Sequence, residues 1–164
     1  MHIFDKKPRW AWRSYLWQSA LATLVVVAIL YVLNVTIHAA IVAALGASTF
    51  IVFVIPHHIT AEPRRLIGGH AVGLAVGAFC YYAVLQPLLG DGETFPYLVA
   101  SALAVGMSIF LMVTTNTEHP PAAGTALGLV AQPWSYLTVI FVLSFAVLLS
   151  LARYLLRSKL RNLI

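Results

Sequence analysis

Five stretches of this chain, residues 15–34, 38–55, 70–89, 96–115 and 134–154, are apolar runs with almost no charge inside them. Each approaches or meets the length of about 20 residues that a helix needs to cross a bilayer. In hydrocarbon a backbone must satisfy its own polar groups, which helices and closed barrels alone achieve. Uninterrupted runs of this length read as helices, so the expected fold class is an all-α polytopic membrane bundle. The composition agrees: 61% of the 164 residues are hydrophobic and 9% are charged, against about 25% charged in a soluble domain. One transmembrane domain over residues 1–164 is expected, with no separate soluble domain. The N-terminus resembles a signal peptide, but the small-residue triplet Ala20-Leu21-Ala22 precedes the most apolar stretch instead of following it. A retained first span is the better reading.

The formal charge of +5 could indicate nucleic acid, yet the basic residues sit in short groups flanking the apolar runs. That placement marks cytoplasmic ends of spans and excludes a nucleic-acid partner. Lys6, Lys7, Arg9 and Arg13 precede the first run, Arg64 and Arg65 lie between the second and third, and Arg153, Arg157, Lys159 and Arg161 close the chain. The connections at 34–37 and 89–95 carry no lysine or arginine, and the second holds Asp91 and Glu93. Both termini are therefore expected on the cytoplasmic side, in a bacterial inner membrane. Trp10, Trp12, Tyr15, Trp17, Trp134 and Tyr136 fit an aromatic belt at the interfaces.

Counting crossings isolates one segment. Four spans return the chain to the inside at Thr115, yet the last span must begin outside in order to end inside. Residues 116–133 must then cross. Their chemistry, within "TNTEHPPAAGTALGL" (115–129), does not make a full span. From Pro120 to Ala131 a helix would reach only ~18 Å at ~1.5 Å per residue, against a core of ~30 Å. A short re-entrant half-helix with irregular backbone at one end is expected, giving five full spans and one broken crossing. Six crossings divide into a three-plus-three inverted repeat. "HAAIVAALGAS" from His38 and "HPPAAGTALGL" from His119 would be its corresponding segments, both reaching Ala-Leu-Gly.

The start of the half-helix is the candidate binding site. Proline is favoured at a first helical position, Asn116 or Thr117 could cap the helix, and free N–H groups at that end attract a small anion. Pro120, Pro121, Ala122, Ala123, Gly124 and Thr125 would form this end. His119, with an unperturbed pKa of about 6.5, can donate a hydrogen bond or a proton. Glu118 would share the proton-coupling role or pair with His119 or an arginine. Ser48 and Thr49 could offer hydroxyls to a passing ion, or bond back to their own helix. Arg64 and Arg65 could attract anions at an entrance. Against this stands a rigid turn with Glu118 and His119 in cytoplasmic water.

Other features are structural in expectation. Gly69, Gly73 and Gly77 recur every four residues and form a close-packing groove, and Gly124 and Gly128 repeat the spacing. "PHHITAEPRRLIGGH" (56–70) reads as a solvated connection: its His57, His58, Glu62 and His70 lack an established metal-ligand spacing. Cys80 reads as a packed thiol. No nucleophile–base–orienter set, phosphate loop or zinc motif is visible, so neither enzymatic activity nor a cofactor or metal is expected.

Three ordered motifs, "GASTFIVFVIP" (46–56), "EPRRLIGGHAVG" (62–73) and "EHPPAAGTALGL" (118–129), resemble the HPP family of integral membrane proteins, over roughly residues 10–157. The eponymous motif is His119-Pro120-Pro121. The resemblance implies transport of nitrite, in which chloroplast and cyanobacterial members are implicated. It also implies the four spans usually described for the family, fewer than the crossing count gives. Where the family often has Thr or Val before the motif, this chain has Glu118. The combined expectation is a permease or channel for a small monovalent anion, nitrite first, in contact with lipid and assembled as a homo-oligomer. A metal or cation carrier using Glu118, His119, His57 and His58, and a non-transporting membrane scaffold, are the rivals.

Overall fold

The computed structural model describes residues 9–33, 39–88 and 95–164. Among these the structure is helical, with six principal helices: α1 (Arg9–Leu33), α2 (Ala39–Val54), α3 (Pro63–Leu88), α4 (Phe95–Thr115), α5 (Pro121–Val130) and α6 (Tyr136–Leu156). A 3₁₀ turn at Ile59–Ala61 precedes α3, and the last part of α3 passes through a π-helical stretch at Tyr81–Leu85. Helices α3, α4 and α6 are long and apolar enough to cross a membrane, and shorter apolar segments occur at Leu16–Val25, Ala40–Val54 and Pro121–Val130. His38, the connections 34–37 and 89–94, and Lys6 and Lys7 lie outside the described residues, as do the side chains of Trp10, Trp12 and Tyr15.

The bundle is apolar on its outside. Phe50, Phe79, Leu98, Phe110, Leu137 and Ile140 are exposed, whereas Ser48, His70, Ser108, His119 and Thr125 are buried. This distribution suits a lipid solvent, in which Leu gains little by burial and polar groups must find partners inside. Helix α5 is the innermost element. Seven of its ten residues are buried, and it packs against α2, α3 and α4. Its small residues permit this close approach. A Cβ added to Gly73 would lie 2.4 Å from the Ala122 carbonyl oxygen, and one at Gly77 3.0 Å from that of Ala126. On another side, Gly124 and Gly128 face Ala44 and Ile41 of α2. The glycine groove of α3 thus receives α5 of the same chain. Cys80 is buried, with its sulfur 4.0 Å from that of Met107.

Long-range hydrogen bonds gather one end of the bundle. Arg153 of α6 donates through Nε to the carbonyl of Pro56 at 2.9 Å, and the Leu163 amide donates to Val54 at 2.8 Å. Gln18 of α1 bonds both Phe53 and Arg161. Arg64 reaches the carbonyl of Thr115, the last residue of α4, at 3.3 Å. At the opposite end the Trp134 amide meets the Tyr81 hydroxyl at 3.4 Å, within a cluster that includes Tyr82 and Tyr136. The segment from 116 to 135 therefore runs from the basic end to the far end, with α5 supplying ~15 Å of that path.

Candidate functional site

The turn before α5 is built by one asparagine and two prolines, residue types with opposite conformational properties. Asn116 ends α4 with φ 55°, in the left-handed region that asparagine tolerates better than most residues. The Thr117 amide donates to Met112 at 2.9 Å and the Asn116 amide to Val113 at 3.4 Å, the paired bonds of a Schellman termination. Asn116 thus closes the preceding helix and does not cap the following one. Its side-chain oxygen accepts from Arg65, which also forms an ion pair with Glu118.

Pro120 and Pro121 then remove two N–H groups, and no side chain caps α5. The next two amides are already used: Ala122 donates to His119 at 2.9 Å and Ala123 to Pro120 at 3.2 Å. The expected cradle of free amides is therefore closed by the chain itself. The chemistry lies instead in side chains from three helices.

His119 is fully buried. Its Nδ1 meets the carbonyl of Thr60 at 2.9 Å, and its Nε2 meets the hydroxyl of Ser48 at 2.9 Å. The same hydroxyl is 2.9 Å from Nε2 of His70, whose Nδ1 is 2.9 Å from the Thr125 hydroxyl. The two imidazole centroids are 5.2 Å apart. A continuous hydrogen-bonded chain thus links α5, α3 and α2 to the turn before α3. Ser48 and His119 have the separation of a nucleophile and its base, and Ser48 is fully buried.

The remaining sequence-assigned residues divide. Thr49 bonds back to Leu45 at 2.9 Å and lines a separate cavity of about 250 Å³ with Gln18, Ala22 and Phe53; it does not join Ser48. Arg65 is buried and paired, so it is no free entrance cation, and Arg64 is exposed. Glu118 is held by Arg65 instead of by His119. Ala122 packs into the α3 groove. Pro120 and Ala123 line a cavity of about 240 Å³ with Glu118, His119, Ile109, Met112 and Val113. His57 and His58 are exposed, the latter closed onto Thr60 at 2.8 Å. Among the described residues no group of three or more His, Cys, Asp or Glu could hold a metal ion.

Sequence reasoning missed His70, because it placed 63–70 in a solvated connection. In fact α3 begins at Pro63, a favoured first residue, and His70 lies a full two turns inside it, beside Gly69 of the packing groove. The Glu62-Pro63 start signal could have located it.

A family model described as the HPP transmembrane region matches residues 7–162. A transmembrane protein of Dictyostelium discoideum is 38% identical over 104 residues, covering 62% of this chain and 34% of that protein. A second transmembrane protein of the same organism is 34% identical over 132 residues, 77% of this chain and 40% of its own length. The chain thus spans between a third and two-fifths of the length of these curated relatives. No solved structure matches.

Proposed function

The chain belongs to the HPP transmembrane family, and from that footing we propose that it is a permease for a small monovalent anion, nitrite being the first candidate. The observation that carries this reading is the buried His70–Ser48–His119 chain. Ionisable side chains inside a membrane bundle are costly, and they mark ion pathways and proton relays far more often than packing. Arg65 is neutralised by Glu118, so a proton on the histidine pair supplies the positive charge that would hold an anion. The cavity beside His119, Pro120 and Ala123 is where the anion would meet that charge.

In this reading residues 116–135 form a broken sixth crossing, and α2 and α5 are corresponding members of an inverted repeat. Five other crossings, cytoplasmic termini in an inner membrane, and assembly as a homo-oligomer complete the proposal. A metal carrier has less support, because Glu118, His57 and His58 face different partners from His119.

Liposomes containing the purified protein should take up nitrite saturably, and His119→Ala should abolish most of that flux. Background flux from folded, correctly inserted protein would reject nitrite permeation. Equal flux and pH profile in His119→Ala would remove the histidine from the pathway and return the scaffold reading for this turn.

A further inference from the structure

Hydrogen-bond chemistry gives the histidine chain a direction. The Thr60 carbonyl can only accept, so Nδ1 of His119 carries a proton. In the neutral ring Nε2 then accepts, and the Ser48 hydroxyl must donate to it. That hydroxyl has one proton, so Nε2 of His70 donates to the Ser48 oxygen. Nδ1 of His70 is left as an acceptor for the Thr125 hydroxyl. Every group is satisfied in one arrangement, with the two histidines in opposite tautomers.

We infer that His70 and His119 share a single exchangeable proton, passed between them through the Ser48 hydroxyl as a directional relay. A proton added at Nδ1 of His70 makes that ring an imidazolium. Its Nε2 proton passes to Ser48 while the Ser48 proton passes to Nε2 of His119. Ser48 is unchanged, His70 is neutral again with its proton on Nδ1, and His119 is the imidazolium. The two rings do not carry charge together: their centroids are 5.2 Å apart in a setting where like charges are weakly screened. After the transfer the Ser48 hydroxyl donates to Nε2 of His70 and accepts from Nε2 of His119. The Ala44 carbonyl, 3.0 Å away on the same helix, is a further acceptor for that hydroxyl.

Few other charges face the pair. Helices α2 and α5 contain no ionisable side chain, and α4 has Tyr97 alone. On α3 Arg65 is tied to Glu118, and Arg64 to Thr115. At the basic end, Glu62 and His57 flank the turn and His58 holds Thr60. On α6 Arg153 is bound to Pro56, and Tyr136 and Tyr154 are exposed.

Use of the relay to couple protons to an anion rests on the transport reading above; the relay itself does not. Nitrogen-15 histidine NMR of the full chain in lipid bilayers reads it directly, with His70→Gln and His119→Gln supplying assignments. The expected result at alkaline pH is the Nδ1–H tautomer for His119 and the Nε2–H tautomer for His70. On acidification the pair should gain one proton, not two. Two Nε2–H tautomers, or simultaneous protonation of both rings, would overturn the relay.

In liposomes with an entrapped pH dye, Ser48→Ala should cut the proton movement that accompanies nitrite uptake at least tenfold. Ser48→Thr should restore it. Unchanged proton movement in Ser48→Ala would also overturn the relay. Opposite tautomers in a protein that carries no nitrite would sustain the relay and defeat the transport reading.

Discussion

Replacing Gly73 by alanine tests the contact on which the histidine chain depends. The new Cβ would lie 2.4 Å from the Ala122 carbonyl oxygen, where ordinary contact begins at 3.4 Å. The obstruction is backbone, not the end of a flexible side chain, so α3 and α5 must separate locally by about 1 Å. The 2.9 Å bond between His70 and Thr125 joins these two helices, and about 1 Å more puts it beyond hydrogen-bonding range. Overpacking costs about 1–3 kcal/mol, and leaving the buried imidazole and hydroxyl unpaired costs roughly another 1–3 kcal/mol. The better helix propensity of alanine returns about 1 kcal/mol. The net destabilisation is near 3 kcal/mol, and at roughly 2–4 °C per kcal/mol for a chain of this size the midpoint should fall by about 6–12 °C.

Gly106→Ala on α4 is the internal control, since its added Cβ meets nothing within 4 Å. It should be neutral or stabilising by up to about 1 kcal/mol. Thermal unfolding of both variants in the same detergent decides the matter. A Gly73→Ala protein as stable as Gly106→Ala would refute the reasoning that backbone contact at Gly73 sets the α3–α5 distance.

Two further variants address the turn before α5. Glu118→Gln leaves the buried Arg65 guanidinium without its carboxylate; partial exposure of Glu118 limits the expected loss to about 1–2 kcal/mol, read as a lower thermal midpoint that high salt does not restore. At Asn116, with φ 55°, glycine should keep the backbone turn and lose only the contact to Arg65, whereas valine should cost about 1–2 kcal/mol more than glycine. Equal midpoints for Asn116→Gly and Asn116→Val would rule out the left-handed backbone as the reason for asparagine there.

Local pattern alone determined much of this protein. Long uncharged runs require helices because hydrocarbon offers the backbone no other partner, and the basic groups mark one end of the bundle. The His-Pro-Pro interruption announces a short helix, and glycines every fourth residue announce a close-packed face. Each of these signals is contained within a few turns of chain. Tertiary structure decided what no local window can contain. Ser48 meets His70 across 22 residues of separation and His119 across 71, and the glycine face finds α5 of its own chain. Arginine 65 is spent on the turn before α5 and not on an entrance, while the amides expected to hold an anion are closed by their neighbours' carbonyls. Periodicity records which residues share a face, but a hydrogen bond needs a partner at 2.9 Å with the right lone pair or proton, and the packing of distant helices supplies that partner.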